Sequence, residues 1–245
     1  MNKNITLNPS YYEQNMKTKP KPRKEARNKP TLVAFLLDRT GSMAACKDET
    51  IKGFNGYIDE LRKDKNGEML FTLTQFDSIA VDIIHDAEPL EKVRKLNNDT
   101  YKPRAGTPLY DAIGKTIRAT EQSAGSKYKV LFVTLTDGRE NASSEWNEKT
   151  IKELMKKKEN KDHWTFAHIG VGANGWDAAH RISVGTRSAA NVLNINIADT
   201  REMYSGMADM TRRYCADSSN VAESATNLWK GSQTKDKKGR RRKRS

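Results

Sequence analysis

Short apolar runs alternate with amphipathic helical patterns through the middle of the chain. Residues 31–37 (TLVAFLL) form a continuous apolar run that ends at Asp38, and similar runs cover residues 130–135 and, more weakly, residues 164–169. A run that is apolar on both faces is typical of a central strand in a parallel sheet, because helices cover both faces of such a sheet. These three segments are therefore predicted to be core strands.

The segments between these runs predict helices and one hairpin. Apolar residues recur at helical spacing in two sets, Ile51, Phe54, Ile58 and Leu61 in the first and Leu109, Ile113 and Ile117 in the second. Residues 68–76 and 79–85 are separated only by Asp77 and Ser78. Because so short a connection cannot cross over a sheet, these two segments predict an antiparallel hairpin.

The last part of the pattern completes an α/β arrangement. Residues 191–195 predict a final strand, and residues 199–215 predict a closing helix with Met203, Met207, Met210 and Tyr214 on one side. The resulting order is β-α-β-β-α-β-α-β-α-β-α. It predicts a doubly wound, mostly parallel six-stranded sheet with one antiparallel edge strand and helices on both faces.

Charge divides the chain into a near-neutral body and two basic ends. The 245 residues have a formal net charge of +13. Residues 1–30 contain eight lysine and arginine residues against two glutamates, and residues 230–245 contain nine against one aspartate. Like charges mixed with prolines cannot bury an apolar face. We therefore expect a disordered basic extension over residues 1–30, one domain over residues 31–217 and a disordered basic tail over residues 218–245.

Cysteine content and hydropathy bear on the compartment. Cys46 and Cys215 are far apart in the sequence and have no metal-type spacing, which does not indicate a disulfide framework. The first 30 residues contain no apolar stretch of signal-peptide length, and no run approaches the length of a membrane span. These features predict a cytoplasmic protein without membrane association.

Three polar clusters lie where an α/β sheet binds ligands. Residues 38–42 (DRTGS) follow the first core strand, residues 106–108 (GTP) begin the second helical pattern, and residues 137–138 (DG) follow the fourth predicted strand. Ligands of open α/β sheets bind beyond the carboxyl ends of the strands, so these clusters are expected to meet on one rim. Oxygen donors without thiolate or imidazole favour Mg²⁺, Mn²⁺ or Ca²⁺ and disfavour Zn²⁺.

The motifs D-x-T-x-S, G-T-P-L-Y-D-A-I and T-D-G-R-E-N resemble the three loops of the metal-ion-dependent adhesion site of von Willebrand factor A domains, most closely bacterial and phage members. The resemblance covers roughly residues 31–217. It implies a site for one Mg²⁺, Mn²⁺ or Ca²⁺ ion built from Asp38, Thr40, Ser42, Thr107 and Asp137. Ser42 and Thr107 would bind the ion through their hydroxyl groups, and Asp38 and Asp137 would act largely through bound water. Thr40 stands where serine is more usual.

The resemblance also implies how such a site works. Neutral hydroxyl ligands leave the cation under-neutralised, so the ion recruits a glutamate or aspartate of a partner protein as its last ligand. The predicted function is therefore a metal-dependent protein-interaction module, an adaptor or assembly factor, and not an enzyme.

Each residue also has a simpler interpretation. Asp38, Ser42 and Thr107 could cap helices, and Asp137 with Gly138 could form a turn. Asp111 is interpreted as a first-turn residue that favours the helix dipole, with support of the metal site as the alternative. Three arginines near the rim, Arg39, Arg104 and Arg139, are expected to be solvated, although they could select acidic partners.

Two sequence features suggest other functions. Residues 170–175 (GVGANG) match the G-x-G-x-x-G pattern of dinucleotide-binding loops, but they follow the fifth strand, and Asn191 stands where an acidic ribose ligand is expected. Residues Lys235–Arg244 (KDKKGRRRKR) favour binding to phosphate groups, because basic runs release counterions from nucleic acid without reading its sequence. The alternative function is thus a nucleic-acid-associated protein that binds through its basic N- and C-terminal ends.

Overall fold

The computed structural model describes residues 29–63, 68–161, 163–195 and 200–216. Its regular elements run from Thr31 to Ala216. Most of the predicted extension at residues 1–30 and the whole of the predicted tail at residues 218–245, including Lys235–Arg244, lie outside the described residues. The domain boundaries therefore stay predictions.

Six strands form one sheet in the order β3-β2-β1-β4-β5-β6. The strands are β1 (Thr31–Asp38), β2 (Met69–Phe76), β3 (Val81–Pro89), β4 (Lys129–Thr136), β5 (Trp164–Val171) and β6 (Val192–Ile195). Five strands are parallel, and β3 pairs with β2 in the antiparallel direction at the edge of the sheet. The predicted fold class, including the antiparallel edge strand, is confirmed.

The predicted start of the third strand at Ile79 is two residues early. Residues 77–80 form a tight turn instead, in which the amides of Ile79 and Ala80 both donate to Asp77 Oδ1, at 2.8 and 3.0 Å. A side chain that accepts the amides of the following residues favours a turn over a ladder. The strand therefore begins only at Val81.

The described residues form five α-helices, and these cover the two faces of the sheet unequally. The helices are α1 (Lys47–Arg62), α2 (Leu109–Ala124), α3 (Glu148–Lys161), α4 (Gly172–Ser183) and α5 (Thr200–Ala216). Helices α1 and α5 share one apolar core with the sheet, and α2, α3 and α4 share the other. All eight residues of β1 are buried, as expected for a strand that is covered on both sides.

The core between α1 and the sheet is built on aromatic rings. The ring of Phe35 in β1 lies 5.7 Å from Phe54, 5.8 Å from Tyr57 and 6.3 Å from Phe71, measured between centroids. Rings at these distances add specific edge and stacking contacts to the burial of apolar area. In α5 the four residues predicted to share one side, Met203, Met207, Met210 and Tyr214, are all buried. The helical periodicity thus identified the packed face correctly.

The G-x-G-x-x-G sequence at residues 170–175 is explained by packing between α4 and the sheet. A β-carbon placed on Gly170 would lie 2.3 Å from the Gly175 carbonyl carbon, and one placed on Gly175 would lie 2.4 Å from the Thr136 oxygen. Gly172 has a φ of +68°, which glycine adopts without strain. These glycines allow α4 to begin directly against β4 and β5.

None of the helices that the structure describes is long and apolar enough to cross a membrane.

His168 in β5 predicts an acid-sensitive fold. Its ring is fully buried without a hydrogen-bond partner at either nitrogen, and burial lowers the pKa of His168 from 6.5 to about 3. Between pH 6.5 and pH 3, His168 therefore binds a proton in the unfolded chain but not in the folded chain. The free energy of unfolding falls as the pH falls towards 3. Between pH 7 and pH 5 the wild type should lose about 2 kcal/mol more than His168→Leu.

The measurement is urea unfolding at a series of pH values. His180→Leu is the matched control, since His180 lies on the exposed side of α4 and should leave the pH dependence of the wild type in place. Equal pH dependence in wild type and His168→Leu would contradict the assignment.

Candidate metal centre

The two predicted carboxylates meet because their strands are neighbours. Asp38 ends β1, Asp137 directly follows β4, and β1 and β4 pair in parallel with Leu37 opposite Leu135. The Thr136 hydroxyl donates to Asp38 Oδ2 at 2.5 Å. The other carboxylate oxygen of Asp38, Oδ1, accepts the Thr40 amide at 2.7 Å. Both carboxylates thus lie at the carboxyl end of the sheet, where α/β folds bind ligands.

The three predicted hydroxyl groups lie at the same place. Ser42 Oγ donates to Asp137 Oδ1 at 2.6 Å and lies 3.3 Å from Thr40 Oγ1. Thr107 faces Gly138: a β-carbon placed on Gly138 would lie 3.1 Å from Thr107 Oγ1 and 3.4 Å from Ser42 Oγ. The structure therefore brings together all five residues of the predicted site.

Helix capping does not explain the hydroxyl groups of this cluster. The 3₁₀-helix Gly41–Cys46 begins after Thr40 and has no side-chain cap, and α2 begins after Pro108, also without one. Ser42 contacts a carboxylate instead of a helix amide. The geometry is thus that of a shared polar site.

Burial makes the carboxylates electrostatically costly. Asp38 has no exposed surface, and its pKa is raised to about 7. Burial is the largest cause, the hydrogen bonds from Thr136 and Thr40 partly offset it, and the Asp137 carboxylate adds to it. Burial also raises the pKa of Asp137, while the hydrogen bond from Ser42 lowers it. Two acids that repel each other in a buried site require a positive charge or a proton.

A divalent cation fits this requirement. Within the described part of the chain, no lysine or arginine nitrogen lies within 4.0 Å of Asp38 or Asp137, so these residues do not supply the positive charge. The described residues contain no group of three or more histidine, cysteine, aspartate or glutamate side chains that could hold a metal ion by themselves. An ion held here would depend on two carboxylates and three hydroxyls, a donor set that suits a hard cation.

Arg39, which was expected to be solvated, is buried in an ion-pair network. Only 8% of the residue is exposed, and its guanidinium donates to Asp77 at 2.9 Å and to Asp82 at 2.8 Å. Arg104 Nε also donates to Asp77, at 2.9 Å, although that side chain remains 48% exposed. The prediction was wrong for Arg39, because the β2–β3 turn lies beside the β1 loop and provides the buried acid Asp77.

Asp77 connects two loops of the metal centre. Burial opposes its charge, but the two arginines and the turn amides hold the pKa of Asp77 below its usual value. The turn that it organises pairs with the segment before Thr107, since Ser78 N donates to the Gly106 oxygen at 2.9 Å and Gly106 N donates to Ser78 Oγ at 3.0 Å. The Arg39 and Thr107 segments are therefore held together through this buried carboxylate.

Acidic and amide side chains fix the third loop in a similar way. Glu140 accepts the amides of Tyr110, Ala142 and Ser143, and Asn141 exchanges two hydrogen bonds with the backbone of Thr107. Asp111 is buried and accepts the amides of residues 144–146. The interpretation of Asp111 as a helix-dipole residue is thus incomplete, because its main contacts hold the loop that carries Asp137.

Sequence reasoning missed several residues that shape the site. Glu140 and Asn141 lie inside the T-D-G-R-E-N motif, so the motif itself was a signal for them. Asp77 was noted only as a connector between strands, and nothing in the sequence pairs it with Arg39. Tyr101, whose hydroxyl donates to the Asp38 carbonyl oxygen at 2.7 Å, had no signal in the pattern.

Comparison of the structure with known structures identifies the fold. Proximal thread matrix protein 1 from the mussel byssus, solved with zinc in its metal-ion-dependent adhesion site, matches with a TM-score of 0.54 and 14% identity over 75% of this chain and 46% of its own. A von Willebrand factor type A protein from Catenulispora acidiphila matches with a TM-score of 0.54 and 12% identity over 75% of this chain and 43% of its own. The von Willebrand factor domain of the type V pili tip protein Mfa5 from Porphyromonas gingivalis matches with a TM-score of 0.53 and 9% identity over 76% of this chain and 96% of its own.

The chain therefore has the fold of a von Willebrand factor A domain, as its motifs predicted. It spans less than half the length of the mussel and Catenulispora chains. No protein-family model and no curated protein sequence matches it.

Replacing Asp77 is expected to destabilise the rim strongly. Asp77→Ala leaves Arg39 buried with Asp82 as its remaining acidic partner among the described residues and removes the acceptor of the turn amides. Breaking a buried ion pair should lower the free energy of unfolding by about 3 kcal/mol or more. Asp82→Ala removes the other partner of Arg39, but that side chain is 44% exposed, so the loss should stay within about 1 kcal/mol. Chemical denaturation of both variants measures the difference, and equal losses would show that Asp77 does not hold the loops.

Proposed function

We propose that this chain is a metal-dependent protein-interaction module. A Mg²⁺ ion, or Mn²⁺ or Ca²⁺ in its place, is held by Asp38, Thr40, Ser42, Thr107 and Asp137, and a glutamate or aspartate of a partner protein completes its ligands. The observation that supports this proposal most directly is the pair of the buried Asp38 and the half-buried Asp137, which lies beside three hydroxyl groups and has no cationic side chain of the described residues within 4.0 Å.

The donor set explains why the last ligand would come from outside. Three of the five groups are neutral hydroxyls, and both carboxylate groups already accept hydrogen bonds from the chain, Asp38 from Thr40 and Thr136 and Asp137 from Ser42. A hard cation prefers six or more oxygen ligands, so five groups leave room for water or a partner's carboxylate. If a partner's carboxylate replaces a water ligand of the ion, binding of the partner depends on the presence of the ion.

The proposal assigns the site to binding and not to catalysis. Ser42 donates to a carboxylate that faces the same ion site, so its hydroxyl is arranged as a ligand and not as a nucleophile beside a separate base. The similar structures include a pilus tip protein and a byssal thread matrix protein, which supports a role in assembly.

An apolar residue beside the metal centre supports a protein partner. Ile79 is 67% exposed at the tip of the turn that pairs with Gly106, next to Thr107. Because Asp77 and Ser78 hold this turn in place, a partner that reaches the metal can bury Ile79 without first ordering it. Pre-ordered apolar residues near the centre of an interface contribute much of its affinity.

The cytoplasmic location and the nucleic-acid alternative stay predictions from the sequence, because the basic ends on which the alternative depends lie outside the described residues.

Metal binding should stabilise the wild type and not a charge-neutral variant. In Mg²⁺ at one hundred times its dissociation constant, the free energy of unfolding of the wild type should rise by about 2.7 kcal/mol over its value in EDTA. Asp38→Asn keeps the shape of the side chain and removes its charge, so the rise should disappear. Thermal unfolding in Mg²⁺, Mn²⁺, Ca²⁺ and EDTA measures the effect, with Asp59→Asn on α1 as the control that retains it. A rise of the same size in Asp38→Asn would place the ion elsewhere.

Partner capture should require the ion and the apolar turn together. The immobilised chain should retain a protein from a lysate of its source cells in Mg²⁺, and release it when EDTA is added. Asp38→Ala should lose this retention. Ile79→Ser should weaken it, while Ile83→Ser, which changes an isoleucine of the same hairpin that is 43% exposed on β3, should not.

The nucleic-acid alternative predicts a different result. Retention of a partner by the immobilised chain would then be unchanged by EDTA, would fall steeply with increasing salt concentration, and would disappear when residues 230–245 are deleted.

A further inference from the structure

A groove beside the metal centre has an arginine on each of two walls. Its volume is about 250 Å³, and Leu109, Tyr110, Arg139, Asp177 and Arg181 are among the residues that line it. The walls come from the start of α2, the loop after β4 and the middle of α4. The Arg139 side chain is 66% exposed and that of Arg181 is 62% exposed, so both guanidinium groups are accessible to a ligand.

The positive charge of this groove is only partly balanced. Asp177 lies 3.4 Å from Arg139 and 3.8 Å from Arg181, and it is the one carboxylate of the described residues within 4.0 Å of either guanidinium. Glu140 also lines the groove, but its carboxylate accepts three backbone amides and the Ser143 hydroxyl. The two guanidinium groups therefore share a single carboxylate at 3.4 and 3.8 Å, beyond the usual length of a strong hydrogen bond.

The opposite side of the metal centre is balanced. There Arg39 and Arg104 also form a pair of arginines, but they contact two acids, Asp77 and Asp82, at 2.8–2.9 Å. Their donors are directed inward and hold the loops. The unbalanced charge near the metal centre thus lies on the side of Arg139 and Arg181.

The groove is continuous with the metal centre along the chain. Arg139 comes two residues after Asp137, and Leu109 comes two residues after Thr107. Two residues span at most about 7 Å, which is also the distance between side chains on the same side of an extended segment. A partner segment with one carboxylate on the ion can therefore direct a nearby residue into the groove.

We propose that this groove binds a second acidic side chain of the partner, held by Arg139 and Arg181 while a first acidic side chain binds the metal ion. The partner is then an extended protein segment with two carboxylates a few residues apart. This inference rests on the proposed function, because the metal-bound carboxylate places the segment. Arginine suits the task, since its planar donors can bind a carboxylate through two hydrogen bonds.

Synthetic peptides test the proposal on the full-length protein. One peptide carries a single glutamate in a glycine and serine background, and others carry a second glutamate one, two or three residues further on. Affinities are measured by NMR titration in Mg²⁺ and in EDTA. We expect the best peptide with two glutamates to bind roughly threefold or more tightly than the single-glutamate peptide in Mg²⁺.

Substitutions test whether the gain in affinity from the second glutamate comes from the groove. Arg139→Gln combined with Arg181→Gln should reduce the affinity for the best two-glutamate peptide to about that for the single-glutamate peptide. Arg94→Gln combined with Arg213→Gln removes the same charge from two exposed arginines that do not line the groove, and should keep the gain.

The outcomes separate this inference from the proposed function. If the single-glutamate peptide binds only in Mg²⁺ and the second glutamate adds nothing, the groove assignment is overturned and the metal site stands. A gain that persists in EDTA also overturns the assignment, because the second glutamate would then bind without the metal-bound one. A gain that persists in the Arg139 and Arg181 double variant overturns it as well, because it would come from other basic residues. If no peptide shows Mg²⁺-dependent binding, the proposed function fails and this inference fails with it.

Discussion

The close approach of the buried Asp38 and the half-buried Asp137 is the constraint on which the rest of the site depends. Adjacent parallel strands bring both carboxylates to one end of the sheet, and the hydroxyls of Thr136 and Ser42 keep them there. Burial of two like charges is unfavourable, and the described residues provide no cation within 4.0 Å. A bound divalent ion would relieve this electrostatic cost, and the stability of the domain would then depend on metal binding.

Other acidic groups make the rim rigid before any ligand arrives. Asp77, Glu140 and Asp111 each accept two or three backbone amides of the rim loops. Irregular segments would otherwise leave amides unpaired and would be ordered only on binding, at a cost in affinity. These acids therefore have a different role from the one proposed for Asp38 and Asp137: they hold loops, whereas the pair at the strand ends would bind the ion.

The arginines near the rim divide in the same way. Arg39 and Arg104 are both bound by the buried Asp77, which connects the β1 loop and the segment before Thr107 to the β2–β3 turn. Arg139 and Arg181 lie on the other side with a single shared acid and more exposed side chains. Since long-range attraction and the orientation of a partner depend on uncompensated charge, an acidic partner would approach the metal from this side.

The sequence alone determined the order of the elements, the packed faces of the helices and the five residues of the candidate site, because these depend on periodicity and on motifs that are local in the chain. The A-domain fold followed from the same local signals. Only the tertiary structure decided which charged side chains hold loops and which face solvent. Arg39 and Asp77 are 38 residues apart, and Asp38 and Thr136 are 98 apart. Their contacts exist because the strand order places β2 and β4 on either side of β1, and no local pattern encodes the buried surroundings that this neighbourhood creates.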